Sequence, residues 1–192
     1  MTDPERVPSA RQEELLERAY RYALAHGLAG LSLRPLAAAI GSSPRVLLFL
    51  FGSKEGLVQA LLTRARVDEL ALLDQGRLRG ADGDLTRVIR TTWAWLAAEA
   101  RRPLLILWAE AYTRSLMEPQ GPWAGFAEQT VGDWLAVLAA SQSPAHRTSK
   151  EGVAERTLAL SVLRGALLDL LATGDVERTS AAVEQHLRIL AR

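Results

Sequence analysis

Residues 42–57 read SSPRVLLFLFGSKEGL. Ser43 and Pro44 carry the marks of a helix start, a capping hydroxyl followed by proline at the first helical position. Gly52 marks a stop, and Ser53 with Lys54 opens another helix. Between these signals stand six apolar residues in a row, Val46 to Phe51. A short helix that is apolar on every side belongs in a core. Leu47 and Phe51, four apart, share one face and are assigned to that core. Val46, Leu48 and Phe49 then point outward, with Leu50 between the two.

The flanking sequence supplies the context. Upstream, SLRPLAAAIG (32–41) is a second short helix, with Ser32 as cap, Pro35 in the first turn and Gly41 as stop. Before it, SARQEELLERAYRYALAHG (9–27) reads as a long helix ended by Gly27 or Gly30. Ser9 and Gln12 form a capping box there, and Leu15, Leu16, Ala19, Tyr22 and Ala23 fall on one face. Downstream, Ser53 caps a fourth helix that runs to about Gly76 or Gly80. Two short helices joined by a Gly-Ser-Ser turn have the layout of a helix-turn-helix, whose second helix enters the DNA major groove.

The remaining sequence is also helical. Helices are expected over 85–101, 103–117, 123–140, 151–173 and 176–191. Between them lie the loops GADGDL and EPQGP and the polar linker SQSPAHRTSKEG (141–152). No run alternates with period two, so the fold class is all-α. The expected organisation is a flexible tail (1–8), a three-helix helix-turn-helix DNA-binding domain (9–53) and a helical ligand-binding and dimerisation domain (54–192).

Composition narrows the function classes. The 192 residues are 48% hydrophobic and 23% charged, ordinary for a globular chain. There is no cysteine, which removes disulfides and thiolate metal sites. His26, His146 and His186 are scattered, so no metal or cofactor is expected. The polar N-terminus does not read as a signal peptide, and no long apolar run reads as a membrane span, so a cytoplasmic protein is expected. No nucleophile motif and no phosphate loop is present, which argues against an enzyme. Net charge is +1, divided as +3 over residues 1–66 and −2 over the rest. That mild asymmetry is compatible with a nucleic-acid contact near the N-terminus.

The stretch from Leu15 to Leu57, which includes AHGLAGLSLRPLAAAIGSSPRVLLFLFGSKEGL (25–57), resembles the TetR family of transcriptional repressors. Ala37, Gly41, Leu47, Phe51, Gly52, Ser53, Lys54 and Leu57 stand at matching positions. The resemblance implies a homodimeric, ligand-responsive repressor of a palindromic operator. It implies double-stranded DNA contacts from Arg34, Ser43, Pro44, Arg45, Val46, Leu48, Phe49 and Lys54. Two departures bear on this. Leu48 stands where the family usually has a tyrosine that contacts the DNA backbone, and Phe49 and Leu50 stand where a polar residue is usual. An apolar face can still meet thymine methyl groups. Alternatively, the module docks a protein partner through Leu48 and Phe49.

All five tryptophans, Trp93, Trp95, Trp108, Trp123 and Trp134, follow residue 92. The resemblance places a ligand cavity among the central helices, so Trp108, Tyr112, Trp123, Phe126 and Trp134 are candidates to line a pocket for a small apolar or aromatic molecule. Glu110 and Asp133 would hold a cationic group if buried; otherwise both are exposed, with Glu110 paired to Arg114 four residues on. Wide apolar stripes follow, including Val153, Leu160, Leu163, Leu167 and Leu168, then Val176, Val183, Leu187 and Leu190. They fit the four-helix dimer bundle that the resemblance implies over 151–191.

Overall fold

The computed structural model describes residues 9–28, 30–79 and 84–190, and the expected tail over 1–8 lies outside them. The described residues are all-α, with no strand among them. The first four helices are α1 (Ala10–His26), α2 (Leu33–Ala39), α3 (Pro44–Phe51) and α4 (Lys54–Arg79). A second set follows: α5 (Leu85–Leu96), α6 (Arg102–Met117), α7 (Phe126–Ala140), α8 (Pro144–Thr148), α9 (Lys150–Thr173) and α10 (Val176–Leu190).

Local chemistry sets the boundaries. Ser9 Oγ accepts from Gln12 N–H at 3.2 Å, and Ser43 Oγ accepts from Val46 N–H at 3.3 Å. Ser32 makes no such bond, although it occupies the cap position of α2. The α2–α3 turn is a Schellman motif. Ser42 N–H donates to the Ala37 carbonyl at 2.8 Å, and Gly41 N–H donates to that of Ala38 at 3.3 Å. Gly41 has φ of 67°, a left-handed conformation that costs glycine nothing. The two helices cross at 102°, within the range of helix-turn-helix pairs.

The second half departs from expectation in two places. The helix expected over 85–101 ends at Leu96, and a 3-10 turn, Glu99–Arg101, leads into α6. The linker expected over 141–152 contains α8. Ser143 caps it, Pro144 occupies its first turn, and Ser141 and Gln142 beside it are buried. Gln142 Nε2 donates to the Gly152 carbonyl at 2.9 Å, which anchors this polar stretch to α9.

Two apolar cores result. The first joins Leu15, Ala19 and Tyr20 of α1 to Leu36, Ala37, Leu47, and the α4 residues Leu57, Leu61 and Ala65. It continues past the helix-turn-helix to Leu107, Ala111, Trp123 and Phe126. Tyr20 takes the central position expected of Tyr22, which is only half-buried. Its hydroxyl donates to Asp68 at 2.9 Å. Arg64 lies over its ring at 4.7 Å and bridges Glu17 and Asp68, so α1 is tied to α4 by charge as well as packing. The second core gathers Ile89 and Trp93 with Leu138, Leu160, Leu163, Leu167, Val183 and Leu187.

Gly56 is the tightest point between α3 and α4: a Cβ there would run into the Phe51 carbonyl oxygen. Gly56→Ala is therefore expected to cost about 1–3 kcal/mol through overpacking. Gly132→Ala, in α7 with nothing near the added methyl, should gain roughly 0.5–1 kcal/mol. Urea unfolding of the two variants checks the contrast.

Candidate DNA-binding face and effector cavity

The outward side of α3 is apolar. Phe49 is 81% exposed, Leu48 41% and Val46 38%, while Leu47 is buried at 1%. Phe51 and Leu50 are partly buried against the first core. One eight-residue helix thus divides into a plug and a presented face, as its spacing suggested. Pro44 and Ser43 start the helix, and Arg45 projects beside them, exposed. Arg34 on α2 and Lys54 at the first turn of α4 are exposed as well. Among the described residues none of the three takes part in an ion pair.

The start of α4 is partly self-satisfied. Ser53 Oγ accepts from Gly56 N–H at 3.0 Å. Glu55 turns its carboxylate back onto the same turn, where its own backbone N–H, and then Ser53, hold it below the usual carboxylate range. The helix start therefore already has an anion beside it. Lys54 is left to act by its charge alone.

A second feature lies where α4 to α7 and α9 converge. An apolar cavity of about 30 Å³ is lined by Glu69, Trp95, Trp108, Phe126, Trp134 and Leu167, among others. That volume is about one water molecule's share of the liquid. The cavity is smaller than the small-molecule pocket these residues were expected to line, so an occupant larger than water has to displace side chains. Three of the five candidate residues, Trp108, Phe126 and Trp134, line the cavity. Trp123 is buried in the first core instead. Tyr112 stacks obliquely on Trp108, with ring centroids 5.2 Å apart, and accepts from Arg164 Nη1 at 3.2 Å.

Several polar groups here escaped the sequence reading. Glu69 is buried, and its Oε1 accepts from Trp134 Nε1–H at 2.6 Å. Burial pushes its carboxyl above the ordinary range, against the opposing pull of Trp134 and Arg66. Asp133 is paired with Arg66 rather than exposed. Glu110 does not pair with Arg114, which bonds Glu118 at 2.7 Å. Instead Glu110 Oε2 accepts from the Leu28 N–H at 2.8 Å, joining α6 to the chain between α1 and α2. Glu69 stands amid the apolar positions of α4, and nothing in the local spacing separates a buried glutamate from an exposed one. No His, Cys, Asp or Glu group among the described residues is arranged to hold a metal.

The described residues thus carry a helix-turn-helix on an all-helical body, the layout in which a second short helix can enter a DNA major groove. Residues 15–61 match the model of the bacterial regulatory proteins of the tetR family. Among solved structures, the multidrug binding protein EbrR complexed with imidazole is 25% identical, with a TM-score of 0.68 over 97% of this chain and 90% of that one. EbrR complexed with proflavin is 24% identical, with a TM-score of 0.66 over 93% and 98%. A transcriptional regulator from Rhodococcus sp. Rha1 is 21% identical, with a TM-score of 0.76 over 93% and 94%. No curated protein matches the sequence.

The Glu69 shift has a testable sign. Its folded pKa is raised, so the folded state holds the proton more firmly than the unfolded chain does. The associated stability is present below the unfolded carboxyl range and is lost as pH rises through the folded value. Glu69→Gln keeps an acceptor for Trp134 and removes the titration. Between about pH 4 and pH 7 the wild type should therefore lose stability relative to the variant. Parallel urea midpoints across that range would contradict the assignment.

Proposed function

We propose that this protein is a homodimeric, ligand-responsive repressor that binds a palindromic operator and is released by a small apolar or aromatic molecule in the cytoplasm. In this reading residues 9–53 contact DNA, and residues 54–192 sense the ligand and dimerise. The observation that carries it is the presented face of α3, with Phe49 outward and the cations Arg34, Arg45 and Lys54 around it. Val46, Leu48 and Phe49 offer no hydrogen bonds, so they read thymine methyl groups. Arg34 and Arg45 supply donors, and Ser43 and Pro44 set the entry of the helix.

Sensing is assigned to the cavity around Trp108, Phe126 and Trp134, with Tyr112 and Trp123 supporting it from the adjoining packing. The structural likeness to EbrR, which has been seen complexed with imidazole and proflavin, supports this assignment. Glu110 provides a route to the DNA. It lies between Trp108 and Ala111, both of which line the cavity, and it holds the Leu28 N–H. An occupant that displaces Trp108 moves α6, and with it the chain that leads into α2. Only a difference in ligand affinity between the two arrangements shifts the balance. Glu110→Ala is expected to leave ligand binding largely intact and to reduce the ligand's effect on DNA affinity, as measured by fluorescence polarisation with and without the ligand.

Dimerisation is assigned to α9 and α10 over 151–191. Leu158 and Leu168 remain 54% and 53% exposed, whereas Leu167 and Leu187 are buried within the protomer at 3% and 1%. Leu158→Glu with Leu168→Glu should therefore give a folded monomer in sedimentation runs. Leu167→Glu should unfold the chain. A wild-type protein that sediments as a monomer at micromolar concentration would refute the dimer.

Selection of random DNA by the purified protein at near-physiological salt tests the main claim. Enrichment of an inverted repeat with thymines at the positions facing Phe49 is expected. Lys54→Ala should weaken binding to every sequence and lower the salt slope by about one. Arg34→Ala or Arg45→Ala should cost roughly 1–3 kcal/mol and relax preference at defined bases. The exposure of Phe49 also favours a second reading, a protein-docking face. Absence of any enriched repeat would select that reading.

A further inference from the structure

Arg164 of α9 is the least satisfied cation in the interior among the described residues. Its guanidinium lies over the rings of Tyr112 and Trp108, at 5.0 and 5.9 Å from their centroids. Nη1 donates to the Tyr112 hydroxyl at 3.2 Å. Nε and Nη2 are buried and have no acceptor among the described residues. These two atoms form one edge of the guanidinium, with N–H bonds that run side by side. That edge matches the two oxygens of a carboxylate. Trp108, whose ring lines the cavity, also has a buried Nε1–H without an acceptor among the described residues.

The carboxylates nearby are otherwise engaged. Asp133 is paired with Arg66. Glu69 has one oxygen bonded to Trp134 and is driven toward its neutral acid by burial. Two guanidinium groups therefore face one firm carboxylate and one that burial disfavours. A cationic ligand would meet two fixed positive charges here, whereas an anion would meet donors that lack acceptors.

We propose that the effector is an aromatic or apolar carboxylate, with its carboxylate on the Nε/Nη2 edge of Arg164 and its body displacing side chains of the cavity beside Trp108. This rests on the sensing role proposed above and narrows it to a ligand class. Arg164 then supplies specificity, and Trp108 contributes both a wall and a donor.

Matched sets of compounds test the proposal on the full-length protein. Each set carries a carboxylate, an alcohol or an ammonium group on the same benzene, naphthalene or biphenyl skeleton. Binding is read by tryptophan fluorescence and by the shift in melting temperature. Within at least one skeleton the carboxylate should bind about tenfold more tightly than the alcohol, the worth of one charge-assisted hydrogen bond. Arg164→Gln and Arg164→Lys should both abolish that preference while alcohol binding changes by less than about twofold, since lysine keeps the charge and lacks the fork. Preference for the alcohol or ammonium members, or a carboxylate preference that survives both Arg164 variants, overturns the proposal and leaves the cavity as a sensor. Binding by no member of any set removes the sensor reading and this inference with it. If Arg164→Gln fails to fold, the Arg164→Lys variant and the wild-type order of affinities still decide.

Discussion

A single helix, α4, has to satisfy two cores at once. Its first turns close against α3 at Gly56, where the backbones approach too near for a methyl group. Leu57, Val58 and Leu61 then complete the core beneath the helix-turn-helix. About two turns beyond Leu61 the same helix delivers Glu69 to the cavity in the other half. Because a helix transmits displacement along its length as a nearly rigid rod, α4 cannot change its setting in one core without disturbing the other. The Glu17–Arg64–Asp68 bridge reinforces this by tying α1 to the middle of α4. Arg64 is partly buried, so its two partners hold it more firmly than a surface pair would.

The apolarity of α3 follows from its shortness. Eight residues make little more than two turns, too few to give a helix a wide polar face and still anchor it. Leu47 alone is fully buried, with Phe51 and Leu50 as partial supports. On the proposed reading, a presented face made of Val46, Leu48 and Phe49 leaves DNA recognition to shape and methyl contact. Orientation must then come from the cations on the neighbouring elements. Such a division between positioning by charge and discrimination by base contact is general in DNA recognition.

Most of the architecture could be read from punctuation. Ser43–Pro44, Gly41 and Gly52 bounded the short helices because capping and left-handed glycine are local chemistry. The same rule failed at Ser32, whose position was right although its hydroxyl makes no capping bond. The split of α3 into buried and presented residues was legible because helical spacing decides it. What escaped was the long-range polar chemistry. Glu110 was assigned to Arg114 by its spacing, yet the backbone N–H of Leu28, 82 residues away, had greater need of an acceptor in a part-buried site. Leu167 and Leu187 stood in the expected dimer stripe, but the packing of α5, α9 and α10 within one chain absorbs them. Sequence shows that a stripe is apolar without showing which neighbour covers it.

The narrowness of the cavity bears on how a sensor of this kind could work. A chamber equally open in both arrangements would bind a ligand without differential affinity, and such binding would shift no equilibrium. A seam with space for about one water requires a larger occupant to displace the side chains that line it, and on the proposed reading the helices that carry them. The cost of that displacement lowers apparent affinity, by the fraction of molecules in which the seam is already open. The same cost is the source of coupling on the proposed reading. The closed seam keeps Trp108 and Ala111 in place, and Glu110 between them holds Leu28. Opening the seam while keeping that bond moves the entry to α2, and breaking the bond leaves a buried amide without its acceptor. Either outcome disfavours the arrangement of the helix-turn-helix that goes with the closed seam. On the proposed reading, ligand and DNA are opposed through one hydrogen bond between α6 and the α1–α2 connection.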